Sequence, residues 1–103
     1  MNEILLYKII WKKIAMCIAL TNTDVYSVTK TLSIINNKVY YIDNNKNIKI
    51  SINREELYDR LIEEGFKIVE NIDNENNTIK VQFSISRDKI MGIAKNSKEK
   101  KIK

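Results

Sequence analysis

Histidine and proline are absent from the sequence, glycine occurs twice and cysteine once. Without histidine the chain lacks the commonest general base and metal ligand, and the only side chain whose unperturbed pKa lies near 7. The single cysteine, Cys17, excludes an intramolecular disulfide and is typical of a reducing compartment. Because so little glycine and no proline are present, no linker divides the 103 residues, and we expect one domain with one core.

Long apolar runs are also lacking. Residues 4–20 are mostly apolar, but lysines interrupt them, and the longest uncharged apolar stretch, Ile14–Leu20, is far shorter than the roughly 20 residues that span a membrane. We therefore expect a cytoplasmic protein with no membrane partner. There is no glycine-rich phosphate loop and no histidine to activate a serine, and the carboxylates of 55–64 are typical of a solvated helix face. These absences predict a protein that is not an enzyme and uses neither a cofactor nor a metal.

The charges of the chain are sorted by position. Residues 1–52 hold seven lysines and three acids, residues 53–85 four bases and eight acids, and residues 86–103 seven bases and two acids. A bias toward AT-rich codons would explain the abundance of lysine, but it does not explain why the acids gather in the middle. A basic–acidic–basic layout indicates a surface that attracts a polyanion, with one element unfit to touch it.

Residues 2–20 read as a helix with two apolar arcs. Residues Ile4, Tyr7, Trp11, Ile14 and Ile18 recur at spacings of three and four, which places them on one face. A second arc holds further apolar side chains: Leu5, Ile9, Met16 and Leu20. Such a helix is either central in the core, covered on both sides, or shared with a second copy in a homodimer.

Residues 25–35 change to a period of two with β-branched enrichment, which predicts a strand, although a helical spacing of apolar residues is also present. Asn36-Asn37 can take positive φ and would turn the chain into a second strand at 38–42. After a further polar turn, residues 48–52 alternate again and predict a third strand.

Asn53 is a good N-cap, so a helix is predicted from Arg54 to Glu64, ending at Gly65. A hairpin follows, with strands at 66–72 and 78–85, and Ser86 can cap a last helix. The triplet Ile-Asp-Asn occurs at 42–44 and again at 72–74, each time before a returning strand and a helix start, which supports two hairpins of similar design. From about Asn96 the chain is rich in lysine, so we divide it into one domain, 1–95, and a basic tail, 96–103.

The order helix 54–64, glycine, strand, polar turn and strand resembles the last helix and wing hairpin (66–85) of a winged helix-turn-helix domain. By size, bias and this wing-like end the chain is similar to TcpK-like proteins, winged helix-turn-helix accessory factors of the relaxosome in clostridial conjugative plasmids. The resemblance implies an α+β, small winged-helix-like domain with an N-terminal helix and antiparallel hairpins. It also implies a homodimer that binds double-stranded DNA at a plasmid transfer origin, with other transfer proteins as further partners.

In such proteins the helix before the wing enters the major groove. Here that helix carries five acids and only two bases, Arg54 and Arg60. Phosphates would repel it. We therefore predict a DNA-binding accessory protein whose contacts come from basic hairpins and flanks, with a homodimer formed through the N-terminal helix. The predicted DNA-binding residues are Lys38, Lys46, Lys49, Lys67, Asn74, Asn76, Asn77, Lys80, Arg87 and Lys89.

The alternative is a protein-binding inhibitor, such as an anti-CRISPR protein or an antitoxin. Its active surface would be the acidic helix 54–64, presenting Glu55, Asp59 and Glu63 to a basic partner as a mimic of nucleic acid.

Overall fold

The computed structural model describes residues 2–92, which form an α+β fold with an N-terminal helix and one five-stranded antiparallel sheet. The strand order in the sheet is β3-β2-β1-β5-β4. The predicted α+β class, the N-terminal helix and the antiparallel hairpins are therefore confirmed. The elements are α1 (Asn2–Leu20), β1 (Val25–Ile35), β2 (Lys38–Asp43), β3 (Ile48–Ser51), α2 (Arg54–Glu63), β4 (Lys67–Asp73) and β5 (Thr78–Ser86), and residues 87–92 are helical.

The segment 25–35 is a strand, as its alternation predicts, and it is the central strand of the sheet. It pairs with β5 along Val25–Ser33 and with β2 along Leu32–Ile35. The strand is formed instead of the helix because alternate residues Tyr26 and Val28 are buried, while Ser27 and Thr29 beside them face solvent.

The turns of the sheet depend on asparagine in the left-handed conformation. Asn36 and Asn37 have φ of 51° and 66°, the geometry that a two-residue hairpin requires. Asn47 and Asn77 have φ of 55° and 52° at the last position of the other two turns. In both of these turns an aspartate side chain, Asp43 or Asp73, accepts bonds from the backbone N–H groups two and three residues on. The repeated Ile-Asp-Asn triplet therefore marks two turns of the same design.

Helix α2 begins and ends as its sequence predicts. The Asn53 side chain accepts a bond of 3.3 Å from the backbone N–H of Glu56, which caps the N-terminus. Gly65 has φ of +105°, and a Cβ there would lie 3.2 Å from side-chain carbons of Lys89. Glycine is therefore required both by the backbone and by the packing of the last helical segment.

Both helices pack on one face of the sheet and share a single core with it. From α1 the fully buried residues are Leu6, Ile10 and Ile14, flanked by half-buried Tyr7 and Trp11. The predicted core face of α1 is thus shifted: Ile14 lies at its centre, but Leu6 and Ile10 are buried more deeply than the aromatic residues named from the spacing. The remaining core side chains are Tyr26, Val28, Leu32, Tyr41, Ile52, Leu57, Leu61, Phe66, Ile79, Val81, Phe83 and Ile85.

The second apolar arc of α1 lies outside the core. Leu5, Met16 and Leu20 are 38%, 50% and 79% exposed. The interpretation of α1 as a central helix covered on both sides is therefore wrong, because only one side of α1 packs against the sheet and α2. The alternative, a surface shared with a second copy, stays a prediction.

The hairpin predicted as a wing, 66–85, does form directly after α2, as β4 and β5. Its second strand pairs with β1 over nine residue pairs, so the hairpin supplies two of the five strands of the main sheet and does not project freely. The winged-helix assignment stays a prediction. The predicted tail, 96–103, lies outside the described residues. Within residues 2–92, neither helix combines the length and the hydropathy that a membrane crossing requires.

Candidate nucleic-acid interface

One face of the sheet carries none of the described helices. Because side chains alternate along a strand, the neighbours of buried Val28 and Phe83 point away from the helices. We call this uncovered side the outer face. It consists of Val25, Ser27, Thr29, Thr31, Ser33 and Ile35 on β1, Lys38, Tyr40 and Ile42 on β2, Lys49 and Ser51 on β3, Lys67, Val69, Asn71 and Asp73 on β4, and Thr78, Lys80, Gln82, Ser84 and Ser86 on β5.

Four of the predicted DNA-binding lysines lie on the outer face, each on a different strand. Lys80 lies on β5 between Asn71 and Thr31, and Lys67 is paired with Ser84. Lys38 and Lys49 occupy the other half of the sheet, on β2 and β3. All four side chains are exposed, so four ammonium groups can reach a ligand that lies against the sheet.

Carboxylates are nearly excluded from the outer face. Asp73 is the only acid at an outward-facing strand position in the part of the chain that the structure describes. Its carboxylate accepts hydrogen bonds from the side-chain amide and backbone N–H of Asn76 and from the backbone N–H of Glu75, and these bonds lower its pKa. The Asp73 carboxylate is thus engaged in hydrogen bonds within the turn that it stabilises.

The floor between the lysines is made mainly of short hydroxyl side chains, with apolar Ile35, Ile42 and Val69 among them. Register places Ser27 beside Ser84, Thr29 beside Gln82 and Ser33 beside Thr78. Hydroxyls and amides of this kind donate to phosphate oxygens. The only aromatic ring on the floor is half-buried Tyr40, with the Lys49 Nζ 5.2 Å from its centre.

Lys89 extends the basic surface beyond the end of the sheet. It lines a shallow depression together with Lys67, Ser84 and Ser86. Ser86 caps the helical segment 87–92, because its hydroxyl oxygen accepts a bond of 3.3 Å from the Lys89 backbone N–H. This local turn brings two lysines that are far apart in sequence to one place.

The other predicted residues lie at the two ends of the sheet. Asn76 and Asn77 serve their own turn, through the bond of Asn76 to Asp73 and the positive φ of Asn77, while Asn74 is exposed beside them. Lys46 lies in the β2–β3 turn, and Arg87 is half-buried, with its backbone N–H donating to the Asp24 carbonyl at 2.8 Å. These five residues border the outer face and do not form part of it.

The acidic helix α2 lies behind the sheet, on the side away from the four lysines. Its two arginines are engaged elsewhere: Arg54 pairs with Glu70 at 2.6 Å, and the Arg60 guanidinium lies 4.3 Å from the centre of the Tyr7 ring. Among the described residues, no basic group pairs with the four outward-facing acids of α2, which are Glu55, Glu56, Asp59 and Glu63.

The last carboxylate of this region, Glu64, joins the two helices. It accepts hydrogen bonds from the Tyr7 hydroxyl and, at 2.7 Å, from the Trp11 indole N–H. Burial and the adjacent Glu64 carboxylate raise the pKa of Tyr7. Trp11 also packs edge-on against Phe66, with ring centres 5.1 Å apart. This cluster is structural, because every polar group in it is used to fix α1 against α2.

Tyr58 is a half-buried residue of α2, and its buried hydroxyl has no hydrogen-bond partner among the described residues. Burial, followed by the nearby Glu70 carboxylate, raises its pKa above the ordinary 10.0. The neutral hydroxyl therefore favours the folded state fully below about pH 10, and this contribution is lost as the pH rises through the pKa of the folded state.

Replacing Tyr58 by phenylalanine is expected to leave stability at pH 7 unchanged or to raise it by about 1 kcal/mol, because it removes an unpaired buried hydroxyl. Above about pH 10 the variant should lose less stability than the parent protein. Urea unfolding at pH 7 and pH 10.5 measures both effects. A loss above about 1 kcal/mol at pH 7 would mean that the hydroxyl has a partner.

Sequence reasoning missed the hydroxyl floor and Tyr40 as parts of the site. The alternation of 25–35 identifies Ser27, Thr29 and Thr31 as the polar side of a strand. It does not tell whether that side is bare or covered, because this depends on where both helices pack. The strand order supplies that information, and it could not be read from the chain.

Fold and site together define a class: a small α+β protein whose antiparallel sheet is covered by helices on one face and presents lysines and hydroxyls on the other. The chain matches no protein-family model, no curated protein and no solved structure. The similarity to TcpK-like proteins stays a prediction, and the functional argument depends on the outer face itself.

Proposed function

We propose that this protein is a non-enzymatic, double-stranded DNA-binding protein that holds phosphates with the outer face of its sheet. The observation that carries the proposal is the separation of charge across the sheet. Lys38, Lys49, Lys67 and Lys80 share the helix-free side, while the acids of α2 lie on the opposite side. A polyanion is attracted to the outer face and repelled by α2, whereas the helix side as a whole carries charges of both signs, with Lys8, Lys12 and Lys13 on α1.

The composition of the outer face favours a duplex over a single strand. Proteins that bind single strands stack successive bases on aromatic side chains, whereas the described outer face offers one tyrosine, half-buried beside Lys49. Lysines with serine and threonine between them are instead typical of contacts to the phosphate backbone.

The spacing of the lysines also fits a duplex. Asn71 on β4 is the partner of Lys80, and Lys67 lies four residues before Asn71 on the same strand. The two lysines are therefore separated by roughly 13 Å along the strands. Lys49 lies three strands away from Lys80, or roughly 14 Å across the sheet. These separations are close to the width of the major groove, about 12 Å, across which phosphates of the two strands face each other.

The finer parts of the proposal rest on the resemblance described above. An accessory role at a plasmid transfer origin and a winged-helix kinship are consistent with a β4–β5 hairpin that follows α2 and carries Lys67 and Lys80. Exposed Asn74, at the tip of this hairpin, is the side chain best placed to reach a base edge.

Duplex affinity is expected to fall steeply with salt. Four to five lysine–phosphate contacts release about as many counterions, which gives a slope of about −4 in a plot of log K against log salt. Fluorescence anisotropy of a labelled duplex between roughly 50 and 300 mM salt measures it. A single strand of the same length is the control and should bind more weakly. A flat salt response, or tighter binding of the single strand, would contradict the proposal.

A further inference from the structure

The helix side of the molecule carries two neighbouring surfaces of opposite character. The exposed surface of α1 holds the apolar arc of Leu5, Met16 and Leu20, bordered by Lys8 and Lys12. The exposed surface of α2 is acidic, with Glu55, Asp59 and Glu63 on it and Ile62 beside them, 56% exposed. Exposed apolar side chains in a contiguous arc are typical of an interaction surface.

We infer that the helix layers of two copies pack face to face, with α1 of each copy against α2 of the other. The two helices are adjacent in one layer, since Tyr7 and Trp11 of α1 both bond Glu64 at the end of α2. A two-fold axis between the two facing helix layers therefore brings each basic, apolar α1 onto the acidic α2 of the other copy, and both contacts form at once. This inference uses the side of the sheet opposite to the outer face and does not rest on DNA binding.

The two arginines of α2 leave its acids available for this contact. Arg54 is held by Glu70 and Arg60 lies over the Tyr7 ring, so neither neutralises the outward row of carboxylates. On α1, Lys8 and Lys12 lie one turn apart, a spacing matched by Asp59 and Glu63 on α2. The charges are complementary between copies.

Pairing of α1 with α1 of a second copy is disfavoured. The apolar arc is bordered by Lys12 on one side and Lys13 on the other. A two-fold axis near the middle of α1 would place these lysines close to their own counterparts, and like charges at a few ångströms repel. The described surface of α1 offers no acid to offset them.

The size of the surface indicates a dimer of moderate affinity. A 19-residue helix is roughly 28 Å long, and two helices side by side are roughly 18–20 Å wide. The contact is therefore at the lower end of the range for stable interfaces, which is about 600–1,000 Å² on each partner. We expect a dissociation constant in the micromolar range that rises with salt.

Exchange of charges between two variants tests the inference. The variant Lys8→Glu with Lys12→Glu should dimerise at least about tenfold more weakly than the parent protein, because its α1 meets the acids of α2. The variant Asp59→Lys with Glu63→Lys should weaken equally. An equimolar mixture should regain the parent affinity, because the heterodimer contains one reversed contact and one original contact, both attractive.

Sedimentation equilibrium of the full chain at low and high salt measures these affinities, with circular dichroism to verify the fold. The variant Lys49→Glu with Lys80→Glu carries the same charge change on the outer face and should dimerise like the parent. The inference is overturned if the parent stays monomeric at about 100 µM, if the mixture is no tighter than its components, or if Asp59→Lys with Glu63→Lys dimerises like the parent, as α1–α1 pairing requires.

Discussion

Changing Lys49, Lys67 and Lys80 together to glutamate is expected to weaken duplex binding about a thousandfold at 0.1 M salt, because each lost phosphate contact removes roughly a factor of eight and each new carboxylate repels the backbone. The slope of log K against log salt should become shallower by about 3. The three side chains are exposed and lie on different strands, so the fold should be retained. Anisotropy titrations of one labelled duplex provide both quantities.

The matched control changes Lys8, Lys12 and Lys13 of α1 to glutamate. It alters the net charge by the same amount on the side of the sheet that faces away from the proposed DNA. We expect a loss of less than about tenfold on a duplex of roughly 12 base pairs, which one outer face can cover. If both triple variants lose affinity equally, binding follows net charge alone and the outer face has no special role.

Truncating Phe83 to alanine is expected to cost about 3–5 kcal/mol of folding free energy. Its ring is fully buried in β5, between the sheet and α2, and packs edge-on against Tyr58 with ring centres 6.1 Å apart. The cavity would lie between the sheet and α2, where few groups can move to fill it. Such a loss is a large part of the 5–15 kcal/mol typical of a small domain.

Urea unfolding followed by the fluorescence of Trp11, the single tryptophan, measures this loss. Gln82→Ala is the matched control, because Gln82 precedes Phe83 on the same strand and is exposed on the outer face. It should change stability by less than about 0.5 kcal/mol. A loss below about 1 kcal/mol for Phe83→Ala would contradict the buried position of Phe83 in the core.

Local chemistry made most elements predictable. Asn53 and Gly65 delimit α2, Asn36-Asn37 closes the first hairpin, and the alternation of 25–35 marks β1. Each of these signals acts within a few residues, so neighbours in the chain reveal it. The buried face of α1 was harder to predict, because apolar residues surround much of this helix and only its packing selects Leu6 and Ile10 for the core.

Part of the site could also be predicted from the sequence. Lysines at 38, 49, 67 and 80 were identified from charge, but their placement on one face depends on the order of strands, which pairs β1 with β5, two segments distant in the chain. The asparagines at 76 and 77 show the opposite case. Their turn chemistry accounts for them without a ligand.

The pairing of β1 with β5 also has a kinetic consequence. The short turns allow β1–β2, β2–β3 and β4–β5 to close early, since each brings together neighbouring segments. The central ladder must instead join segments separated by about half of the chain, and the entropy of closing that long loop is lost before its contacts form. We therefore expect the pairing of β1 with β5 to be the slow step of folding. Until it is complete, the edges of both partial sheets stay open to pairing with other molecules.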